Sequence, residues 1–372
     1  MPATAEPSTV HIVERMAPGG IETLVLDMVQ GLPGRHWVFS LTGARADLVR
    51  GWPRLAVLGA ALEGFGREPG IHPTLVTRIK RRLDVLKPDT VIVHHDGPMV
   101  YGGLAALLAG VPTILHVEHD AWHYDTLRRR AVIGTLFKFV RPRRVAVSEQ
   151  VAARVATYFG GPPVTVIPPG INMSVYRPGD RTFARSRLGL KADALIIGTS
   201  GRLVTVKSQV TLVEALALLR RSMLRPPELV IVGDGPDRSM LETYARDLGV
   251  AEATHLIGHR DDLAEVLPAF DVYALPSLNE GLPRGVLEAQ SAGVPVVASE
   301  VGALAQAVCP NSGRLVPAGD ARALADALAR VLAAAPDPAT PRAFVEARYG
   351  LNRTLTAYNA LIGRPEVIAC SS

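Results

Sequence analysis

Apolar and polar positions along this chain follow two alternating patterns. Apolar runs of four to six residues, bounded by Gly, Pro, Asn or Asp, read as buried strands, and longer stretches with apolar residues three and four apart read as helices. In the first half, strands are expected from Thr9, at His36 to Leu41, Thr90 to Val93, Thr113 to Val117, Arg144 to Val147 and Val164 to Ile167. Between them fall helical patterns at Ile21 to about Leu32, Leu75 to Leu86, Val100 to Ala109, and a helix opening behind Ser148. The second half repeats the alternation. Strands are expected at Ala194 to Ile197, Leu229 to Gly233, Leu256 to Gly258, Val272 to Leu275 and Val294 to Ala298, with a weaker one at Leu315 to Pro317 and helices at Met240 to Leu248 and Ala321 to Ala333. Such alternation predicts the α/β class, with parallel sheets covered on both faces.

At 372 residues the chain exceeds the usual size of a single core, so two domains are expected. The break falls at Pro168-Pro169-Gly170-Ile171-Asn172, where Pro-Pro-Gly blocks regular structure. This gives a first domain over residues 1–172, a second over 173–351, a hinge between Asn172 and Lys191, and a last helix at about Asn352 to Ile362. The first ten residues lack the basic and apolar segments of a secretory leader, and no apolar run reaches membrane-spanning length. A cytoplasmic location is therefore expected. Cys309 and Cys370 stand far apart with no metal-type spacing, which suits a reducing compartment and gives no metal site.

Charge changes this picture in one place. The net charge is +5, and the excess falls before residue 180, concentrated in Arg78 to Arg82 and in Leu127 to Arg144. The second segment interleaves Arg and Lys with Val132, Ile133, Leu136, Phe137, Phe139 and Val140. It reads either as a basic amphipathic surface for anionic lipid or as a core-facing helix with a solvated basic rim. Nucleic acid is not expected as a partner, because no nucleic-acid-binding motif accompanies the charge.

The candidate chemistry sits at the ends of expected strands, where α/β sheets bind ligands. Pro276 to Ser299 carries Glu280 in a Ser/Asn/Gly/Pro-rich loop and Glu288 eight residues on. If a helix opens near Gly281, Glu280 stands at its N-terminus and Glu288 on its first two turns. After the strand ending at Ile197, Gly198 to Gly201 allows a tight turn, and Arg202 and Lys207 are two cations able to converge on a diphosphate. In the first half, Gly19 and Gly20 lie between a strand and a helix N-terminus, where backbone can approach a phosphate. His94-His95-Asp96 and His116-Val117-Glu118-His119-Asp120 close two further strands. His116, Glu118 and Asp120 are expected to alternate in facing, so that only some of them reach a ligand. Taken singly, each feature also has a bland reading: a solvated helical Glu, a surface cation beside a turn, a glycine required by a turn, or a hydrogen-bonded histidine.

Together these segments resemble the retaining glycosyltransferases of family GT4. The resemblance rests on EGLPRGVLEAQSAGVPVVAS with its Glu, seven residues, Glu spacing, on PGGIET, LHVEHD, PPGIN and GRLVTVKSQ, and extends over most of the chain. It implies the GT-B fold, two Rossmann-like domains facing a cleft, with the C-terminal segment 352–372 packing back on the first domain. It also implies a hexosyltransferase using a UDP- or GDP-sugar as donor substrate and no cofactor or metal, acting on a saccharide or lipid-linked saccharide in envelope or exopolysaccharide synthesis. Arg202 and Lys207 then hold the donor phosphates, Glu288 the ribose hydroxyls, and Glu280, with Gly281 and Leu282 beside it, the sugar. Gly258 and His259 touch the base, and Gly19 and Gly20 contact the phosphate or leave room for the acceptor. His119 faces the donor sugar. The sequence departs from the family pattern at Asp120, in place of glycine, and at Asn172, in place of Asp. A phosphorylase-like enzyme, a sugar-nucleotide epimerase and a non-catalytic sugar-nucleotide binder are the competing readings.

Overall fold

The computed structural model describes residues 6–362. These divide into two compact units, one running to Pro168 and resuming at Asn352, the other spanning Pro169–Leu351. The stretch 363–372, which includes Cys370 and the end of the C-terminal segment, lies outside the described residues, as do residues 1–5.

The first unit is built on a parallel sheet of β1 (Ser8–Val13), β2 (Arg35–Ser40), β3 (Leu62–Gly64), β4 (Thr90–His94), β5 (Thr113–Glu118), β6 (Arg143–Ala146) and β7 (Thr165–Val166), in the order β3-β2-β1-β4-β5-β6-β7. Central strands are buried on both faces, which is why β4 reads as the continuous apolar run Val91 to Val93 and β1 is buried throughout, its Ser8, Thr9 and His11 included. Strand order reverses between β1 and β4, and there the loops leaving their carboxyl ends diverge to open a crevice. The helix Leu351–Asn359 belongs here: Tyr358 and Leu355 pack with Leu24, Met28 and Leu115, and a Cβ on Gly31 would meet Leu355 at 2.4 Å.

The second unit repeats the plan with β8 (Ile196–Ser200), β9 (Glu228–Val232), β10 (Thr254–Gly258), β11 (Val272–Leu275), β12 (Val296–Ser299) and β13 (Arg314–Val316), ordered β10-β9-β8-β11-β12-β13 and parallel throughout. Its switch point lies between β8 and β11. At the opposite, amino-terminal edge, buried Arg185 donates to the carbonyls of Ala269 and Ala192 and pairs with Asp271 at 2.7 Å, while Asp271 also accepts from the Ile196 amide. That edge is closed by a satisfied ion pair, which leaves the carboxyl edge for ligands. The chain enters and leaves this unit side by side, Ile171 and Gly350 forming a parallel bridge.

Several stretches differ from the sequence reading, among them the helices Gln209–Ser222 and Ala339–Tyr349, for which no element was expected, and three nearer the strand ends and the hinge. The continuous helix expected at Val100 to Ala109 is instead a short turn at Asp96–Pro98, a wide π-helical turn at Met99–Gly103 and a helix at Leu104–Leu108. Gly102 lets this turn approach the sheet, since a Cβ there would meet Ile12 at 2.6 Å; wide turns of this kind are frequent at functional sites. The region before β3 folds as a helix, Arg45–Gly51, and a 3₁₀ stretch, Pro53–Ala61, where no element was expected. The expected hinge holds a helix, Arg181–Arg187, whose first turn is capped by Asp180 accepting from the Phe183 amide at 3.0 Å.

Candidate active site

In the second unit the loops after β8 and β11 are fastened to each other. The hydroxyl of Tyr273, wholly buried in β11, lies 2.9 Å from Ser200 Oγ and 3.1 Å from the Ser200 carbonyl, which fixes the end of β8. Gly201 follows with φ +144°, a conformation natural to glycine, and turns the chain into Arg202. Further on, the Leu278 amide donates to the Val206 carbonyl at 2.8 Å, so the two loops run together. Lys207 Nζ then reaches Glu280 Oε1 at 2.5 Å, and Ser277 Oγ donates to the same oxygen at 2.6 Å. Gly302 presses on the Glu280 backbone from the other side: a Cβ there would come within 1.9 Å of the Glu280 carbonyl oxygen. Glu280 is therefore held from both its backbone and its side chain.

The helix after this loop runs Arg284–Ser291 behind Pro283, three residues later than expected. Pro283 fixes its own extended entrance to the helix, and Glu280 thus stands in the preceding loop rather than at the helix N-terminus. Glu288 falls on the second turn, 6% exposed, with the Arg284 guanidinium 3.4 Å away. Arg284 also donates to the Gly170 carbonyl at 2.8 Å, tying Pro-Pro-Gly to this helix. Arg202 is exposed and pairs with no carboxylate among the described residues. Its guanidinium is available to an anion from outside. Gly258 closes β10 at φ +76°, and His259 beyond it is exposed, with Nε2 3.1 Å from Asp261. Leu282 is buried and Gly281 accepts from the Ala303 amide at 3.0 Å.

The first unit's switch point carries different chemistry. Gly19 is extended and caps the helix Gly20–Gly31, its carbonyl accepting from the Thr23 hydroxyl at 2.8 Å. Across the crevice, His95 follows β4 with φ 76° and ψ −178°, a region almost reserved for glycine. Its backbone is held there by the Val117 carbonyl, to which its amide donates at 3.0 Å. Its Nδ1 lies 3.0 Å from Glu118 Oε1 and its Nε2 3.3 Å from Asp120 Oδ2. His123 reaches the same Asp120 at 2.7 Å through Nδ1 and Asp96 at 3.2 Å through Nε2. His116 Nε2 faces Glu118 Oε2 at 3.3 Å. His116 and Glu118 thus share one side of β5, as residues two apart on a strand do, and Asp120 bonds into the same cluster. The expectation that the three alternate in facing is corrected accordingly.

Electrostatics divides these histidines into two groups. Burial works against a charge on His95, but Glu118 and Asp120 outweigh it and raise its pKa well above the ordinary value; His123 is likewise pushed up to about 9 against burial by Asp120 and Asp96. Burial alone would raise the Glu118 carboxyl, yet His95 and His116 hold it well below the usual range. His119 belongs to the other group. Its Nε2 lies 3.1 Å from His94 Nδ1, and burial together with the neighbouring His95 charge lowers it to about 3. His94 and His11, stacked in the same column, are also held neutral by burial. His119 can therefore offer a neutral imidazole.

The structure brings Lys207 and Glu280 into contact, sets Arg202 and Gly258 on the same sheet edge, and groups His119 with Gly19 and Gly20 on the other unit. The sequence reading missed Ser277 and Arg284, which meet the two glutamates, Tyr273, which fixes the end of β8, and His123 and Tyr124, which complete the first unit's cluster. The signal for the last two was present: five histidines and four acids fall within 94–96 and 116–125, at the ends of β4 and β5 and just beyond. The basic segment forms the helix Leu127–Val140. Ile133, Leu136, Phe137 and Val140 face the core, while Leu127 (77% exposed) and Phe139 (71% exposed) share the outer face with Arg128 and Lys138. No helix among the described residues is long and apolar enough to cross a membrane.

Two parallel-sheet α/β units of Rossmann type, each with charged side chains at its switch point, define the fold class, and comparison with known proteins gives the family. Residues 18–175 match the model of "Glycosyltransferase Family 4" and residues 180–348 that of "Glycosyl transferases group 1". The D-inositol 3-phosphate glycosyltransferase of Actinosynnema mirum is 35% identical over 279 residues, covering 69% of this chain and 67% of the relative. That of Stackebrandtia nassauensis is 41% identical over 184 residues, covering 46% of this chain and 42% of the relative. The chain belongs to the group 1 glycosyltransferases of family 4. For the Stackebrandtia protein and for the D-inositol 3-phosphate glycosyltransferase of Saccharomonospora viridis, 39% identical over 217 residues, the match spans about half the length of the relative, 42% and 50%. Among solved structures, Anabaena HepE in complex with UDP-glucose superposes with a TM-score of 0.82 at 21% identity, over 94% of this chain and 97% of that one, which establishes the GT-B fold.

Proposed function

We propose that the protein transfers a hexose from a nucleoside diphosphate, UDP or GDP, to a saccharide or lipid-linked saccharide, with retention of anomeric configuration. The observation that carries this reading is the pair of fastened loops after β8 and β11, which present exposed Arg202 beside Lys207 bonded to Glu280. Departure of a nucleoside diphosphate develops negative charge on its phosphates, and two fixed cations stabilise that charge more in the transition state than in the ground state. On binding, the donor diphosphate replaces part of the Lys207–Glu280 contact, freeing a Glu280 oxygen for a sugar hydroxyl or a developing oxocarbenium ion. Glu288 accepts from the ribose hydroxyls, the backbone around Gly258 and His259 borders the base, and neutral His119 accepts from or donates to the sugar. The glycines at 19 and 20 admit the phosphate or the acceptor close to the backbone. The donor diphosphate needs no bridging metal in this scheme.

The acceptor is read as reaching the first unit, at the inner face of the cytoplasmic membrane, through the exposed face of Leu127–Val140. Leu127, Val132 and Phe139 insert at the headgroup level and Arg128 and Lys138 meet anionic lipid. A second reading of the acceptor is favoured by the names of the relatives, which act on an inositol phosphate: Arg128 and Arg129 border a cavity of about 650 Å³ in the first unit, a suitable end for a phosphorylated polyol. The test is a donor screen. The purified protein is incubated with UDP- and GDP-sugars and with lipid-linked or phosphorylated acceptors, and the product's anomeric configuration is read by NMR. One nucleotide series should give a retained linkage. An inverted linkage, or epimerised donor without transfer, would refute the reading.

A further inference from the structure

We propose that the first unit holds a divalent transition-metal ion, of which zinc is the natural candidate, between His95, His123, Glu118 and Asp96. The donor set is the one zinc takes, imidazole nitrogen and carboxylate oxygen. One ligand atom each from His95, Glu118 and His123 can be chosen so that all lie within 4.8 Å of one another. His95 Nδ1 and His123 Nε2 stand 3.0 and 3.9 Å from the same oxygen, Glu118 Oε1, and Asp96 Oδ2 stands 3.2 Å from His123 Nε2. A tetrahedral ion at 2.0–2.2 Å from its ligands separates them by about 3.4 Å; the spacings around Glu118 Oε1 and His123 Nε2 lie on either side of that value, so His95, Glu118 and His123 form the core of the site, and Asp96, near His123 alone, completes it through a larger side-chain shift.

Two further observations point to an ion rather than to a chance gathering of charges. His123 is 8% exposed, yet its buried Nε2 meets no hydrogen-bond partner of acceptable geometry, although Asp96 is near it. A buried ring nitrogen aimed between carboxylates without a good hydrogen bond is the arrangement a metal completes, taking the place of the proton on that nitrogen. The outward-facing atoms are also engaged, as ligands of a metal require. Asp120 meets both histidines on their far nitrogens, 3.3 Å from His95 Nε2 and 2.7 Å from His123 Nδ1, which fixes each ring with its other nitrogen turned inward. On the carboxylates, the Tyr124 hydroxyl lies between Asp96 Oδ1, at 2.7 Å, and Glu118 Oε2, while His116 faces that same Glu118 oxygen. The three acids outnumber the two ring ligands, so the pocket is anionic when the imidazoles are neutral. The cavity bordered by His95, Asp96, Asp120 and His123 gives the ion a path in from the surface. The ion would lock the ends of β4 and β5 together at the switch point, in the unit that does not carry the Arg202 and Lys207 cations.

The experiment is a titration of the full chain, stripped with chelator, by zinc in a calorimeter, with cobalt as an absorbing substitute. One zinc per chain should bind, and cobalt should give the visible absorption of a four-coordinate site. His123→Ala and His95→Ala should each weaken binding by about 100-fold or more, and Asp120→Asn, which keeps every ligand but loosens both rings, by about 10–100-fold. Near-UV circular dichroism decides which variants are folded and are compared. Wild-type protein that takes up no zinc below about 100 µM would overturn the proposal, on the scale of structural zinc sites. So would one-to-one binding that all three variants retain, which would assign the ion elsewhere, for instance to exposed His259 and Asp261. Metal uptake is measured without donor or acceptor, so its outcome is independent of the transferase reading.

Discussion

The two switch points occupy the same place in two copies of one topology and carry opposite chemistry. In the second unit the loop after the first strand supplies Arg202 and Lys207 and the loop after the fourth supplies Glu280, a partly exposed array with cations in excess. In the first unit the loop after the fourth strand supplies His95-Asp96, backed by Glu118, Asp120 and His123, a mostly buried array with carboxylates in excess. The strand order creates the crevice in both, and the side chains differ: an unpaired guanidinium beside a Lys207–Glu280 ion pair suits an anion, and gathered carboxylates suit a cation or a polyhydroxyl group.

The largest expected effect comes from removing the cations. Arg202→Ala or Lys207→Ala should lower turnover by about 100-fold or more; Arg202→Ala should leave the melting temperature nearly unchanged because Arg202 is solvent-facing, and Lys207→Ala should lower it because the largely buried Glu280 carboxylate loses its partner. Near-wild-type kinetics in folded variants would erase the functional difference between the two switch points. Next in size is Gly302→Ala. Its φ of +54° and the nearby Glu280 carbonyl leave no room for a Cβ, so the Glu280 loop must shift, at about 1–3 kcal/mol of stability, with nucleotide affinity reduced. Zinc uptake by the first unit should survive that change; if both fall together, the two sites are not independent.

His95 offers a sharper probe of strain. His95→Gly and His95→Ala both delete the imidazole, but only glycine is at ease at φ 76°, so the glycine variant should unfold about 1–3 kcal/mol later in denaturant than the alanine variant. Equal stabilities would mean that the backbone relaxes freely there. The smallest effect concerns the exposed helix face. Charge removal by Arg128→Gln or Lys138→Gln should weaken sedimentation with anionic vesicles by about 1 kcal/mol each, and salt should do the same. Binding indifferent to both would leave Leu127–Val140 as a core helix with a basic rim.

Much of the fold was legible because buried parallel strands have a plain signature. Val91 to Val93 and Val296 to Ala298 are apolar on both faces, Val10 to Val13 is interrupted only by buried His11, and glycines or prolines a few residues beyond mark the ends of strands where ligands collect. The π-helical turn at Met99–Gly103 was not legible, since Val100 to Ala109 keeps a helical period and only packing of Gly102 on Ile12 reveals the interruption. At the site, Glu280, Arg202 and Lys207 could be placed at strand ends from spacing alone. Their fastening could not: the Tyr273–Ser200 contact joins residues 73 positions apart, and the Gly302–Glu280 approach depends on loop shape. His119 was singled out, whereas its partner His94 and the charged pair His95 and His123 emerge only when β4 and β5 are laid side by side. A one-dimensional reading registers residue types at strand ends and is blind to which of them meet.

The central claim is that the carboxyl edge of the second unit holds a nucleoside diphosphate through Arg202 and Lys207 without a bridging metal. Calorimetric titration of UDP and of GDP into the protein, with chelator present, tests it most directly. The account predicts saturable one-to-one binding of at least one of the two, weakened by about tenfold or more in Lys207→Ala, the worth of one charge-assisted hydrogen bond. Absence of binding to both nucleotides, or an affinity in Lys207→Ala equal to that of the wild type, would contradict it.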